Sequence, residues 1–130
     1  MIKIEAIIRP ERINGVPHAL EEVGCRGFHF QNVIGQGQQL GVEVFTGSGG
    51  QTVTRAALSK TLVVTVVPDE MQETIIDAIV GAARSPDGGQ IGDGKIMVSH
   101  ITDVVRVRTA ERGEAADLAE SASMRLKGGQ

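Results

Sequence analysis

Leu62-Val63-Val64-Thr65-Val66-Val67 decides how this chain is arranged. The run is apolar on both faces, so it reads as a central strand of the sheet. Downstream, Asp69 stands where it can cap a helix, with Gln72 three positions on in capping-box spacing. Met71, Ile75, Ala78, Ile79 and Ala82 recur as that helix's buried stripe. Arg84 to Gly94 is a glycine-rich loop, and Lys95 to Val98 is the next strand. Upstream the same order occurs. Residues 2–9 alternate, with Ile2, Ile4, Ala6 and Ile8 on one face. Asn14 can cap a helix with Pro17 in its first turn. Ile13, Val16, Leu20 and Val23 share a face, and Gly24 ends the helix. Phe28 to Ile34 is then a second strand.

Between the two halves lie residues 35–59. Gly35-Gln36-Gly37-Gln38-Gln39-Leu40-Gly41 opens that stretch and Gly47-Ser48-Gly49-Gly50-Gln51 sits inside it. A connection this long in a compact domain is functional or mobile. It is expected to be an extended, flexible loop, with Val42, Val44 and Phe45 in a short hairpin arm. After a bend at Ser99–Asp103, Val104 to Arg108 is expected as a short fifth strand. The order is β-α-β, long loop, β-α-β, with a strand appended. This is an α+β chain with the split βαβ, ferredoxin-like βαββαβ arrangement. The domain spans 1–112. Residues 113–130 form a polar tail, with a weak helix around Ala115–Met124 and a frayed end. Two helices cover one sheet face. The other keeps Ile7 and one side of the 62–67 strand, and a bare apolar face predicts oligomerisation.

The 130 residues suit one domain with a single core. A net charge of −3 argues against nucleic acid, and three Phe with no Tyr or Trp argue against base stacking. The lone Cys25 cannot form an internal disulfide, which fits a reducing compartment; it reads as a small buried hydrophobe. No run approaches the ~20 apolar residues of a membrane span. The charged, alternating N-terminus is unlike a signal peptide. A cytoplasmic location is expected.

The chemistry concentrates in Gln90-Ile91-Gly92-Asp93-Gly94-Lys95-Ile96 and in Arg106-Val107-Arg108. Two glycines allow a tight bend whose N–H groups make a concave anion site. Lys95, Arg106 and Arg108 supply positive charge, and on a strand the i, i+2 spacing sets both arginines on one side. Three cations near a glycine loop on an acidic chain indicate a nucleotide phosphate. His18, His29 and His100 lack ligand spacing. The acidic residues show no paired-carboxylate pattern, and no Ser or Cys has an evident base. These patterns offer no catalytic constellation.

Four stretches in order resemble the PII signal-transduction (nitrogen regulatory) family over roughly residues 1–114. They are Lys3-Ile4-Glu5-Ala6-Ile7-Ile8-Arg9-Pro10, Val33-Ile34-Gly35-Gln36-Gly37-Gln38-Gln39, Ile91-Gly92-Asp93-Gly94-Lys95-Ile96 and Val105-Arg106-Val107-Arg108-Thr109. The resemblance implies a homotrimer binding ATP and ADP in clefts between subunits. It places Gly35, Gln36, Gly37, Gln38 and Gln39 at the cleft-side start of the long loop. Gly92, Asp93, Gly94 and Lys95 become the phosphate cradle. Arg106 and Arg108 become phosphate contacts from the end of one subunit's chain, and Ile7 and Val66 become contacts near the adenine. Many members bind 2-oxoglutarate beside Mg-ATP; Gln39 would complete the metal and Lys60 would meet the distal carboxylate.

Departures from the family mark a specialised member. There is no loop tyrosine to be nucleotidylylated. Gln38 and Val64 stand where a basic and an acidic residue are usual. The long loop is about two residues longer and has few charges between Glu43 and Arg55, and the phosphate loop gains residues around Ser85-Pro86-Asp87-Gly88. The expected mechanism is an order–disorder switch of the 36–59 loop, which would act on an ammonium or inorganic-carbon transporter or a metabolic enzyme. The further effector is open between 2-oxoglutarate, bicarbonate and none. The alternatives are a weak ATP hydrolase or a trimeric ferredoxin-like protein with no nucleotide site.

Overall fold

In a computed structural model, residues 1–38, 44–45, 52–53 and 55–113 are described. The strands are β1 (Ile2–Ile8), β2 (Phe28–Gln38), β3 (Val44–Phe45), β4 (Thr52–Val53), β5 (Arg55–Val67) and β6 (Gly94–His100). The helices are α1 (Gly15–Glu22) and α2 (Gln72–Ala83). The four long strands form one antiparallel sheet in the order β2-β5-β1-β6. The doubly apolar segment lies in β5, between β2 and β1, as its pattern requires. This is the expected α+β, ferredoxin-like arrangement.

Ile2, Ile4, Ala6 and Ile8 of β1 are buried beside Val63 and Val67 of β5. Val16 and Leu20 of α1 and Ile75, Ile79 and Ala83 of α2 close over them. Cys25 is buried, with its thiol 3.3 Å from the Thr65 hydroxyl. The opposite sheet face carries Ile7, Leu62, Val64 and Val66, all only half-buried, and Met97, which is exposed. No described helix covers it.

Both helices begin differently from the expectation. Neither Asn14 nor Asp69 makes a side-chain cap; each helix is led in by a single 3₁₀ turn, Pro10–Arg12 or Asp69–Met71. Asp69 pairs instead with the Met1 amine at 2.9 Å, so its carboxylate is committed to β1.

The connection between β2 and β5 is also shorter than predicted. Gly35–Gln38 and Arg55–Leu58, assigned to the loop by their glycines and polar residues, pair with each other from Gly35↔Leu58 to Gln38↔Arg55, and Ser59 pairs with Ile34. Pairing with a partner strand overrides weak local β-propensity. The hairpin arm is present as Val44–Phe45 against Thr52–Val53. Val42, the expected loop flexibility and the Ala115–Met124 helix fall outside the described residues. The fifth strand expected at Val104–Arg108 is a single bridge, Val105↔Arg112, around a turn closed by Ala110 N–H donating to Arg106 O. The i, i+2 argument for Arg106 and Arg108 therefore does not hold: both lie in or beside a turn.

Ile79 is fully enclosed under α2. Ile79→Ala should lower unfolding free energy by about 2–5 kcal/mol, read from urea denaturation followed by circular dichroism.

Candidate functional site

The alternation of β1 places Arg9 on the same face as Ile7. The β1–β5 register ends at Ile8↔Thr61; one step further sets Arg9 across from Lys60. Two like charges opposite each other on adjacent strands repel. The loop between α2 and β6 supplies the compensation. Arg9 Nε donates to Asp93 Oδ1 at 3.0 Å and its Nη2 donates to the Ile91 carbonyl at 3.0 Å. Lys60 Nζ donates to the Gly92 carbonyl at 2.6 Å.

Asp93 fixes the loop from within. Its carboxylate accepts from the Ser85 hydroxyl at 2.5 Å, the Ser85 amide at 2.9 Å and the Gln90 amide at 2.9 Å. Its own amide returns to the Gln90 carbonyl at 3.1 Å. The Ser85 hydrogen bonds, followed by that of Gln90, hold the Asp93 carboxyl far below the ordinary aspartate range, with Arg9 adding to the effect. Lys60 is pushed below the usual lysine value by desolvation first and by Arg9 next; Glu11 and Asp93 act in the opposite direction.

Gly94 is the position at which the loop enters the sheet. Its φ is +122°, and a Cβ there would run into the Ile7 carbonyl oxygen. Gly92, at φ +99°, lies against the guanidinium of Arg9, 3.1 Å from where a Cβ would be. Larger residues would push the loop off the strand ends at both places. Beside the loop, a cavity of about 640 Å³ is walled by Ile76 and Val80 of α2 and by Arg84, Ile91 and Lys95.

The structure thus gathers Ile7, Gly92, Asp93, Gly94, Lys95 and Lys60 at one corner. Lys95 is exposed and pairs with Ile7. Gly35 joins them, because a Cβ on it would meet Lys60 Cγ at 3.9 Å. Gln36, Gly37 and Gln38 run outward from there along β2, and Gln39 falls outside the described residues. Val66 is not at this corner. It pairs with Lys3, while Leu62 pairs with Ile7, so it stands four residues along β5, roughly 13 Å away. Arg106 and Arg108 are absent from the cavity lining; they follow the opposite end of β6.

Sequence reasoning gave Arg9 and Ser85 no role. Arg9 carried a signal, since it continues the Ile7 face directly before Pro10. Ser85 carried none, because only the folded loop brings it to Asp93.

A family model described as "Nitrogen regulatory protein P-II" matches residues 1–111. "Nitrogen regulatory protein P-II" of Rhodobacter capsulatus is 44% identical over 117 residues, 89% of this chain and 99% of the relative. "Nitrogen regulatory protein P-II 2" of Methanothermobacter thermautotrophicus is 42% identical over 116 residues, 89% and 96% of the two chains. Among solved structures, Arabidopsis thaliana PII bound to citrate is similar at a TM-score of 0.69 and 38% identity, covering 88% of this chain and 90% of that one.

Two outcomes follow from the loop geometry. Gly94→Ala should cost upward of about 2 kcal/mol in urea denaturation, because neither the φ nor the space is available to it. Asp93 titrates with its folded value depressed, so its contribution is complete above the ordinary value of 3.8 and is lost as pH falls below it. Urea midpoints measured from pH 7 to pH 3 should drop more steeply at the acid end for the natural chain than for Asp93→Asn, which should already be weakened at pH 7.

Proposed function

The chain belongs to the nitrogen regulatory protein P-II family of signal-transduction regulators, and from that membership we propose that it is a homotrimeric sensor of adenine nucleotides. ATP and ADP bind between protomers, with the β- and γ-phosphates on the Gly92–Lys95 arch and Arg106 and Arg108 reaching in from the neighbour. The observation that carries the reading is the arch itself. Asp93 and Arg9 hold it in shape without a ligand, and it hands the chain directly to Lys95, whose side chain is exposed and makes no salt bridge among the described residues. A preformed backbone bend with an exposed cation beside it suits a phosphate chain.

The intersubunit placement accounts for two separations within one protomer. Arg106 and Arg108 follow the far end of β6, and Val66 is a strand's length from Lys95. A partner copy packed on the open sheet face brings both to the cleft. The apolar residues of that face, Ile7, Leu62, Val64 and Met97, support such packing.

Lys60 is the residue proposed for the second effector. Citrate in the Arabidopsis relative is a polycarboxylate, and Lys60 beside Arg9 offers charge for a carboxylate such as 2-oxoglutarate; bicarbonate is the smaller alternative. A Mg²⁺ carried on the ATP phosphates would take the Gln39 amide oxygen, a hard donor suited to it. The target, a transporter for ammonium or inorganic carbon or a metabolic enzyme, meets the distal part of the β2–β5 connection. Catalysis is disfavoured because Asp93 has four donors on it and a strongly lowered proton affinity, which makes it a poor base. No described helix is long and apolar enough to cross a membrane, and a cytoplasmic site of action fits the proposed role.

Calorimetry should show ATP and ADP binding to a species that sediments as a trimer. Lys95→Ala should weaken both nucleotides by about tenfold or more, the scale of one charge-assisted hydrogen bond. Leu62→Glu, which sets a charge on the open face, should shift sedimentation to the monomer. A natural trimer that takes up neither nucleotide would end this reading.

A further inference from the structure

Three places in the chain set an asparagine or aspartate directly before a glycine: Asn14-Gly15, Asp87-Gly88 and Asp93-Gly94. A glycine amide has no side chain beside it to shield the nitrogen. That nitrogen can attack the carbonyl carbon of the preceding side chain and close a five-membered succinimide. The fold treats the three pairs differently. Asn14 is the N-cap of α1 and has helical φ and ψ, so its link to Gly15 is held at the first helical turn. The Asp93 carboxylate is engaged by Arg9, Ser85 and Gln90. Gly94 passes too near the Ile7 carbonyl for the Asp93–Gly94 link to turn.

Asp87-Gly88 has none of these restraints. Both residues are exposed, in the outer turn of the loop between α2 and β6. Among the described residues neither the Asp87 carboxylate nor the Gly88 amide makes a hydrogen bond. A Cβ at Gly88 would meet nothing within 4 Å, so the link has room to rotate. Asp87 has a φ of 61°, a left-handed conformation that is unfavourable for a residue with a Cβ. The ground state of this pair is therefore strained and open, where those of the other two are braced.

We infer that Asp87 is a self-modification site: it isomerises to isoaspartate through a succinimide, while Asp93 and Asn14 of the same folded chain stay intact. In the first step the Gly88 nitrogen bonds to Asp87 Cγ, and the carboxyl hydroxyl leaves with the amide proton as water. In the second step water opens the ring. Opening at Cγ restores aspartate. Opening at the main-chain carbonyl of Asp87 leaves the chain running through Cβ and Cγ, with a carboxylate on Cα. The mass is unchanged, and no oxidant or cofactor is consumed. The backbone gains one methylene, which releases the turn from its left-handed position. The hydroxyl that leaves belongs to the protonated acid, so the hydrogen bonds that keep Asp93 ionised oppose the same reaction there. None of this depends on what binds at the arch.

The test is ageing of the whole protein at neutral pH over several weeks, beside the same chain held unfolded in guanidinium chloride. Trypsin releases residues 85–95 with both aspartates and residues 13–26 with Asn14. Chromatography separates the isomers of 85–95. The protease Asp-N, which cuts before aspartate and not before isoaspartate, assigns the site. In the folded protein a second isomer of 85–95 should accumulate, with cutting lost before Asp87 and kept before Asp93. Isomerisation should be at least about tenfold faster at Asp87 than at Asp93, which must first open locally. The 13–26 peptide should gain its deamidated form more slowly still. In the unfolded chain Asp93 and Asn14 should lose their protection. Asp87→Glu, whose longer side chain would have to close a less favourable six-membered ring, should abolish the new isomer. A single 85–95 isomer in folded protein, over a time in which the unfolded chain isomerises, overturns the inference. So does reaction in the folded protein at Asp93 or Asn14 as fast as at Asp87, or a new isomer that persists in Asp87→Glu.

Discussion

The Asp93 carboxylate accepts hydrogen bonds from Arg9, from the hydroxyl and amide of Ser85 and from the amide of Gln90, and the course of the chain from 85 to 94 follows from those four donors. They belong to three different local constraints. Ser85 marks the end of α2, Gln90 closes the inner turn, and Arg9 is the end of β1. One side chain therefore ties a helix terminus, a turn and a strand terminus to a single point. Gly94 must then pass so close to Ile7 that no side chain fits. The exposed residues Pro86–Gly88 lie outside this point, and the chain there passes through three successive positive φ values at Asp87, Gly88 and Gly89.

The arrangement of the sheet was legible because apolar residues on both faces of 62–67 and on one face of 2–8 leave few alternatives. A strand without a polar side has to be internal, and β5 is. What local reading misplaced were the strand ends. Gly35, Gly37 and the polar residues around them have poor strand propensity alone, but opposite Ala56, Ala57 and Leu58 their backbone groups are paired. The helix starts were misread for a related reason: a 3₁₀ turn can lead into a helix without a side-chain cap, which left Asp69 available to the Met1 amine. At the candidate site, glycine spacing and charge located the arch. The partnership of Arg9 with Lys60 is a matter of register between strands more than fifty residues apart, and single-residue patterns do not carry it.

The open face of the sheet and the far placement of Arg106 and Arg108 belong to one argument. A single protomer leaves apolar residues of three strands without a covering layer, and it keeps two of its proposed phosphate contacts away from the arch. The proposed packing of a second copy against that face would answer both at once, burying the apolar residues and bringing the end of one chain to the loop of another. Monomeric binding would require neither feature. A site completed only by assembly also makes nucleotide binding and oligomer stability mutually dependent.

β2 and β5 continue together past the end of β1. From Val33↔Lys60 to Gln38↔Arg55 they form a ribbon of six residue pairs, roughly 20 Å long. A two-stranded ribbon has no sheet neighbour to hold its direction, and alone it is marginally stable. Its aim is therefore decided where it leaves the sheet, and that is the level of Lys60 and Gly35. Arg9 and the arch are the neighbours at that level. Lys60 reaches the arch there through the Gly92 carbonyl, and its stem lies beside Gly35. Glycines at 35 and 37 suit such a root, since they let the strand bend without a side chain to repack. The root of the ribbon and the phosphate arch therefore share the Lys60 side chain, a contact that does not run through the hydrophobic core.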